Sequence, residues 1–251
     1  DYLLPNFYSK AITALEKHDN AMFWAGMTLH IDEYNVIWYT RLAQWLQEGL
    51  YEPPEGTMIL TGGMAPPWTS ILFRKAAIEK VGLLDISLLG PSDLKYCLRI
   101  AAHYPYIVEK HPAAVFVLNT QSYSATQPMS SFWPGWKRMI EKFSNDLSLS
   151  KDFRSIIVTN LQKDAESMLL RRGANALAKK RLDFAKDAAD ILSLECNQKL
   201  KGLFLYSLMY TCSKSNTFQN VYTKLYRGVE KNMINSKKDL QAEYGHLLRS
   251  L

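Results

Sequence analysis

The 251-residue sequence predicts an α/β domain with a mixed sheet, followed by an all-α helical region. Three observations carry that class. Short aromatic and β-branched runs alternate with helical stretches to about residue 120, the pattern of strands and helices layered on one sheet. From about residue 137 onward no run reads as a strand. In its place apolar residues recur at helical spacing, as at Phe153, Ile157, Leu161 and Ala165. These place the units at 1–127 and 128–251.

In chain order, Pro5 stands near the first position of a helix, where a missing N–H costs little. Phe7, Ala11, Ile12 and Leu15 give that helix a buried face, and His18-Asp19-Asn20 ends it. Residues 21–31 read as a strand, and 35–39 as its hairpin partner through Asp32-Glu33-Tyr34. Residues 41–48 read as a short helix carrying Trp45, and 51–56, with Pro53-Pro54, as a loop. After apolar residues 58–60 comes a second loop, 62–68. Its paired glycines, Gly62 and Gly63, allow positive φ or close approach by a ligand, and a plain turn explains them equally well.

Ile71-Leu72-Phe73 is the next strand, and Arg74-Lys75 leads into a helix ending at Gly82. A further helix begins after Gly90-Pro91. Residues 106–109 and 114–118 read as two short strands, 119–128 as a polar loop, and Trp133-Pro134-Gly135-Trp136 as a break. Gly173-Ala174-Asn175-Ala176-Leu177, then Leu182, Ala185, Ala189 and Leu192, predict a helix–turn–helix pair. It resembles a single tetratricopeptide repeat with no second copy, so a helical bundle is expected.

An apolar fraction of 47% and a charged fraction of 22% belong to a globular chain. The net charge of +6 suits anionic partners such as nucleotide diphosphates, nucleic acid or acidic headgroups, and equally a merely solvated surface. No nucleic-acid motif accompanies the charge, so no nucleic-acid partner is expected. Aromatics set among lysines in the second half, such as Phe204, Tyr206 and Tyr210, read as core packing before a stacking surface. Cys97, Cys196 and Cys212 have no metal spacing and cannot all pair, which favours a reducing, cytoplasmic setting. No run of about 18 apolar residues is present to span a bilayer. The sequence opens on Asp without a signal-peptide pattern, and residues ahead of Asp1 are expected in the natural protein.

Asp93 falls in the first turn of the helix after Pro91, where backbone N–H groups and the helix dipole favour an anion. Spacing alone leaves two roles for it, an ordinary helix-start acid or a general base. A resemblance bears on the choice. Asp1-Tyr2-Leu3-Leu4-Pro5, the run TGGMAPPWTSILFRKAAIEKVGLLD from Thr61, and SDLKYCLRI from Ser92 are similar, in order and spacing, to motifs of one family. They resemble the second half of the inverting, GT-A fold glycosyltransferases of family 2. The resemblance covers about half the chain and says nothing of the helical remainder.

That resemblance implies transfer of a sugar from a nucleotide-diphosphate donor to the hydroxyl of a glycan or other acceptor. Asp93 would be the base, since an inverting transfer needs an ionised carboxylate on the face opposite the leaving group. Asp1 would lie in the shell of a Mg²⁺ or Mn²⁺ ion that neutralises the diphosphate. Gly62 and Gly63 would let the backbone approach substrate, and Ser92 and Lys95 would flank it. Trp68 would stack on the acceptor sugar, although a packed loop aromatic is an equal reading. The chain departs from the family pattern in three places. Ser92 replaces a Glu and Lys95 an Asp, which sets a cation by the site where it pairs with phosphate or with Asp93. Val117-Leu118-Asn119 stands where a metal-binding His is usual. His111, before Pro112, reads as a turn residue. The nucleotide-binding first half of such an enzyme is expected to be missing. The alternative is a non-catalytic interaction module on a degraded transferase-like domain. The helical region would serve self-association or peripheral contact with the inner face of a membrane.

Overall fold

The computed structural model describes residues 1–42, 45, 47–119 and 121–248, with side chains left aside at 123, 124, 227 and 229–236. Two long strands, Phe23–Ile31 and Tyr106–Val117, lie side by side and run parallel. In chain order the six strands are β1 (Tyr2–Leu3), β2 (Phe23–Ile31), β3 (Ile37–Arg41), β4 (Gly49–Tyr51), β5 (Ile71–Phe73) and β6 (Tyr106–Val117). β1 and β4 line the outer edge of β6, and β3 and β5 that of β2, all antiparallel to their neighbour. The sheet is therefore mixed, as expected.

Every residue of β2, FWAGMTLHI, is buried, the continuous apolar run of a strand covered on both faces. One face carries α1 (Phe7–Lys17), whose Phe7, Ala11, Ala14 and Leu15 pack on Trp24, Ile107 and Ala113. Then come α2 (Glu55–Ile59), a π-type turn at Leu60–Met64, α3 (Lys75–Val81), α4 (Ser92–Ala101) and the four-residue α5 (Tyr123–Thr126). The second half is helical: α6 (Trp133–Ser144), α7 (Lys151–Ala178), α8 (Leu182–Asp190), α9 (Lys199–Lys214) and α10 (Asn216–Tyr244). No helix is long and apolar enough to cross a membrane among the described residues.

One core runs through both halves. It joins Phe23, Ala25 and Val108 of the sheet to Leu98 and Ile100 of α4, Ile157, Leu161 and Leu169 of α7, and Leu205 of α9. The end of α10 returns to the sheet, where Leu240 and Tyr244 pack on the cluster of Leu29, Ile31 and Ile37. Gln241 accepts the Ile37 N–H at 2.9 Å, so the outer strand β3 is covered.

Several local expectations are corrected. Residues 106–117 form one strand, not two, because Pro112 lies opposite Met27 where the register shifts and no ladder N–H is required. His111 is therefore a strand residue rather than a turn residue. Trp133-Pro134-Gly135-Trp136 opens α6, with proline in the first turn, and is no break. The loop expected at 51–56 starts as the end of β4 and finishes inside α2. The helix expected at 41–48 lies partly outside the described residues. Of those described, Arg41 closes β3 and Leu42 has φ 75°, which a helix does not allow. The helix–turn–helix pair is present as the end of α7 followed by α8.

Candidate functional site

Of the residues expected from sequence, Asp1 and Trp68 are brought together at the end of the segment between α2 and β5, by the turn Trp68–Ser70. Thr69 donates a long hydrogen bond of 3.4 Å to Asp1 Oδ2, and the Val117 N–H donates to Asp1 Oδ1 at 3.0 Å. Trp68, 42% exposed, tilts against Phe73 of β5 with ring centroids 4.9 Å apart. It meets Tyr96 of α4 edge-on at 5.8 Å. Tyr96 lies three residues beyond Asp93, on the neighbouring position of the same helix surface. One short turn thus connects Asp1, the aromatic Trp68 and Tyr96 in the second turn of α4.

Asp93 is solvent-exposed as a residue, and its Oδ1 accepts the Leu94 N–H at 2.7 Å. Crowding around the carboxyl pushes its pKa up, while hydrogen bonds from the Leu94 N–H and its own N–H oppose the rise. Its solvent contact limits that effect. The side chain caps no N–H deeper in the helix, which leaves its second oxygen for another partner.

Ser92 and Lys95 are committed elsewhere. Ser92 donates to the Leu89 carbonyl at 2.9 Å. Lys95 is buried, and its ammonium sits 2.7 Å from Asp85 Oδ2, which Lys142 of α6 also reaches at 2.5 Å. The two ammonium donors, Lys142 first, hold the Asp85 carboxyl far below the usual range. Burial lowers the Lys95 pKa against the pull of Asp85. The cation expected beside Asp93 is therefore a structural clamp from α4 to α6. Arg74 and Arg99 are likewise internal. Arg74 donates to the Ala21 carbonyl at 2.8 Å and to that of Leu15, and Arg99 donates to that of Val81.

Gly62 and Gly63 lie beside α7, where a Cβ on Gly63 would come 3.1 Å from Asp164 Oδ1. They line a groove with Arg41, Asn160, Lys163, Asp164, Ser167 and Arg171. Positions 160, 163, 164, 167 and 171 recur at helical spacing, a polar stripe on α7 legible in the sequence but not picked out there. Asp85 was missed for a different reason: its partner Lys142 lies 57 residues away.

Among the described residues no group of three or more His, Cys, Asp or Glu side chains is placed to hold a metal ion. Asp1 is the one carboxylate of the expected shell, and both its oxygens already accept hydrogen bonds. A divalent ion there would draw most of its ligands from phosphate oxygens and does not fit a site made by these residues alone. Compared with protein-family models and with curated proteins, the sequence matches no family and no relative.

Proposed function

We propose that the chain forms the acceptor side of an inverting glycosyltransferase that uses a nucleotide-sugar donor. The observation that carries this reading is the Trp68–Ser70 turn, which links Asp1 by Thr69 to α4 by Trp68. Asp1 and Trp68, far apart in sequence, are thereby tied to one turn, and Trp68 packs on the helix that carries Asp93. In the reaction Asp93 accepts the proton of an acceptor hydroxyl as that oxygen bonds to the anomeric carbon. The bond from that carbon to the diphosphate oxygen breaks, and the electron pair leaves with the nucleotide. Trp68, exposed on one side and anchored on the other, offers a face to the acceptor sugar. A carboxyl whose pKa is raised by desolvation is a stronger base once ionised.

Asp93→Asn in the natural full-length protein is expected to lower sugar transfer by about 10²–10⁴-fold, the range for a lost general base, with donor binding retained. Transfer at the wild-type rate would end the assignment. The clamping of Lys95 and the position of Ser92 favour a second reading, a non-catalytic interaction module. Release of the sugar from a nucleotide-sugar donor, followed with and without Mn²⁺, separates the two, since a module without catalysis turns over no donor.

A further inference from the structure

A groove of about 460 Å³ lies between the Gly62–Gly63 turn and the flank of α7. Its walls come from both halves of the chain. Arg41, at the end of β3, and the glycine turn form one side, and the polar stripe of α7 forms the other. Asn160 donates to Thr61 Oγ1 at 3.2 Å and pins the stripe to the turn.

The groove carries three cations, Arg41, Lys163 and Arg171, against one carboxylate, Asp164. Among the described residues none of the three cations closes an ion pair within 4.0 Å. Asp164 is half-buried, and burial pushes its pKa up against the opposing charges of Arg171 and Arg41. Among the described residues, the groove's Asp164 is the carboxylate whose charge Arg41 opposes, and no ion pair joins the two within 4.0 Å. His30 and Thr28, on β2 beside Arg41, are buried, and among the described residues both His30 ring nitrogens and Thr28 Oγ1 lack a hydrogen-bond partner. Burial and the charge of Arg41 bring the His30 pKa down to about 4, so the ring is neutral.

The backbone adds to this. Gly62 (φ −91°, ψ 20°) and Gly63 (φ 76°, ψ 13°) interrupt the helical turn, and the Gly63 carbonyl accepts from Arg41 Nη1 at 3.4 Å, which holds the guanidinium beside the turn. A Cβ on Gly62 would meet nothing within 4 Å, so packing does not explain the glycine there.

We infer that this groove binds the phosphate or diphosphate of a small phosphorylated ligand, gripped by Arg41, Lys163 and Arg171. A guanidinium engages two oxygens of a phosphate at once, and two such forks with an ammonium suit a diphosphate better than a single carboxylate. The ligand is either a nucleotide diphosphate or a sugar phosphate, which share this chemistry. The site requires nothing of Asp93 and stands apart from the transfer proposed above.

Inorganic pyrophosphate titrated calorimetrically into the protein tests it. Binding is expected, weakening as salt rises. Arg41→Ala and Arg171→Gln should each reduce affinity by about tenfold, the scale of a lost charge-assisted hydrogen bond. Lys75→Ala, on the exposed surface of α3, should leave affinity unchanged. Asp164→Asn, which removes the one repelling charge, should tighten binding several-fold. That gain distinguishes an anion site from a merely structural cluster, and circular dichroism verifies the fold of each variant. Displacement of pyrophosphate by uridine diphosphate or by glucose 1-phosphate identifies the source of the phosphate. Absence of pyrophosphate binding, wild-type affinity in both arginine variants, weaker binding in Asp164→Asn, or displacement by neither compound would overturn the inference.

Discussion

At the scale of single residues, the buried polar groups decide more than the motif letters do. Lys95 shows why the site was only partly legible. Its place in the SDLKYCLRI run puts it two residues from Asp93, yet a helix turns it onto another face and into a bond with Asp85. Asp1, Trp68 and Asp93 could be singled out in the sequence because each belongs to a short, ordered motif. Arg41 and the α7 stripe were not, since no local pattern says that two distant segments will meet. His30 gives a direct test of this buried chemistry. It lies between Tyr39, stacked at 4.3 Å, and Phe116 at 5.0 Å, with no hydrogen-bond partner. Its folded pKa, about 4, is below the unfolded value of about 6.5. A lowered pKa means that the unfolded chain takes up the proton first. The stabilisation is therefore complete above the unfolded pKa and is lost as pH falls from about 6.5 toward 4, on the order of 3 kcal/mol in all. His30→Phe should flatten that part of the stability–pH curve in urea denaturation. An unchanged difference between pH 7 and pH 4 would show that His30 is not buried neutral.

At the scale of elements, close backbone approaches explain both the successes and the failures of pattern reading. The amphipathic α1 and the β2–β3 hairpin were legible because their periodicity matches what they bury. The prolines misled. Pro112 and Pro134 look like interruptions, but one sits at a register shift and the other in a first helical turn. Gly135 shows what the same WPGW segment does for packing. A Cβ there would fall 1.8 Å from the Leu88 carbonyl oxygen, so α6 can lie against the 86–88 turn only if residue 135 lacks a side chain. Gly135→Ala is expected to destabilise the protein by about 3 kcal/mol, the upper part of the range for overpacking, because the obstructing atom is backbone. Gly62→Ala, with open space around its Cβ and a negative φ, should leave stability within about 0.5 kcal/mol of wild type. Urea midpoints of the two variants make the comparison. Equal losses would mean that α6 does not dock on the 86–88 turn as described.

At the scale of the whole molecule, the change from alternating elements to helices near residue 128 was legible, but how the two parts share a core was not. Helical stripes reveal that a face is buried without saying against what. The structure supplies the answer in α7. Its 28 residues extend about 42 Å at 1.5 Å per residue, long enough to run from the glycine turn to the α8–α9 pair. Ile157, Leu161, Ala165 and Leu169 are fully buried along that length, in one cluster with Phe23, Leu98 and Tyr106 of the sheet half. A sheet half alone would leave this α7-facing side of its core open to water. It follows that the chain unfolds as one cooperative unit. Leu161→Ala should cost about 3 kcal/mol, within the range for a buried leucine, and should lower the midpoint equally whether helix content or tryptophan fluorescence is followed. With Trp133 and Trp136 of α6 replaced by Phe, the remaining tryptophans, among them the buried Trp24 and Trp45, make the fluorescence report the sheet half, to which Leu161 does not belong. A shift in helix signal that left the sheet-half fluorescence transition in place would mean two independent cores. The same logic predicts that residues 1–127 expressed alone do not reach a folded state, whereas an independent domain would give a sharp thermal transition of its own.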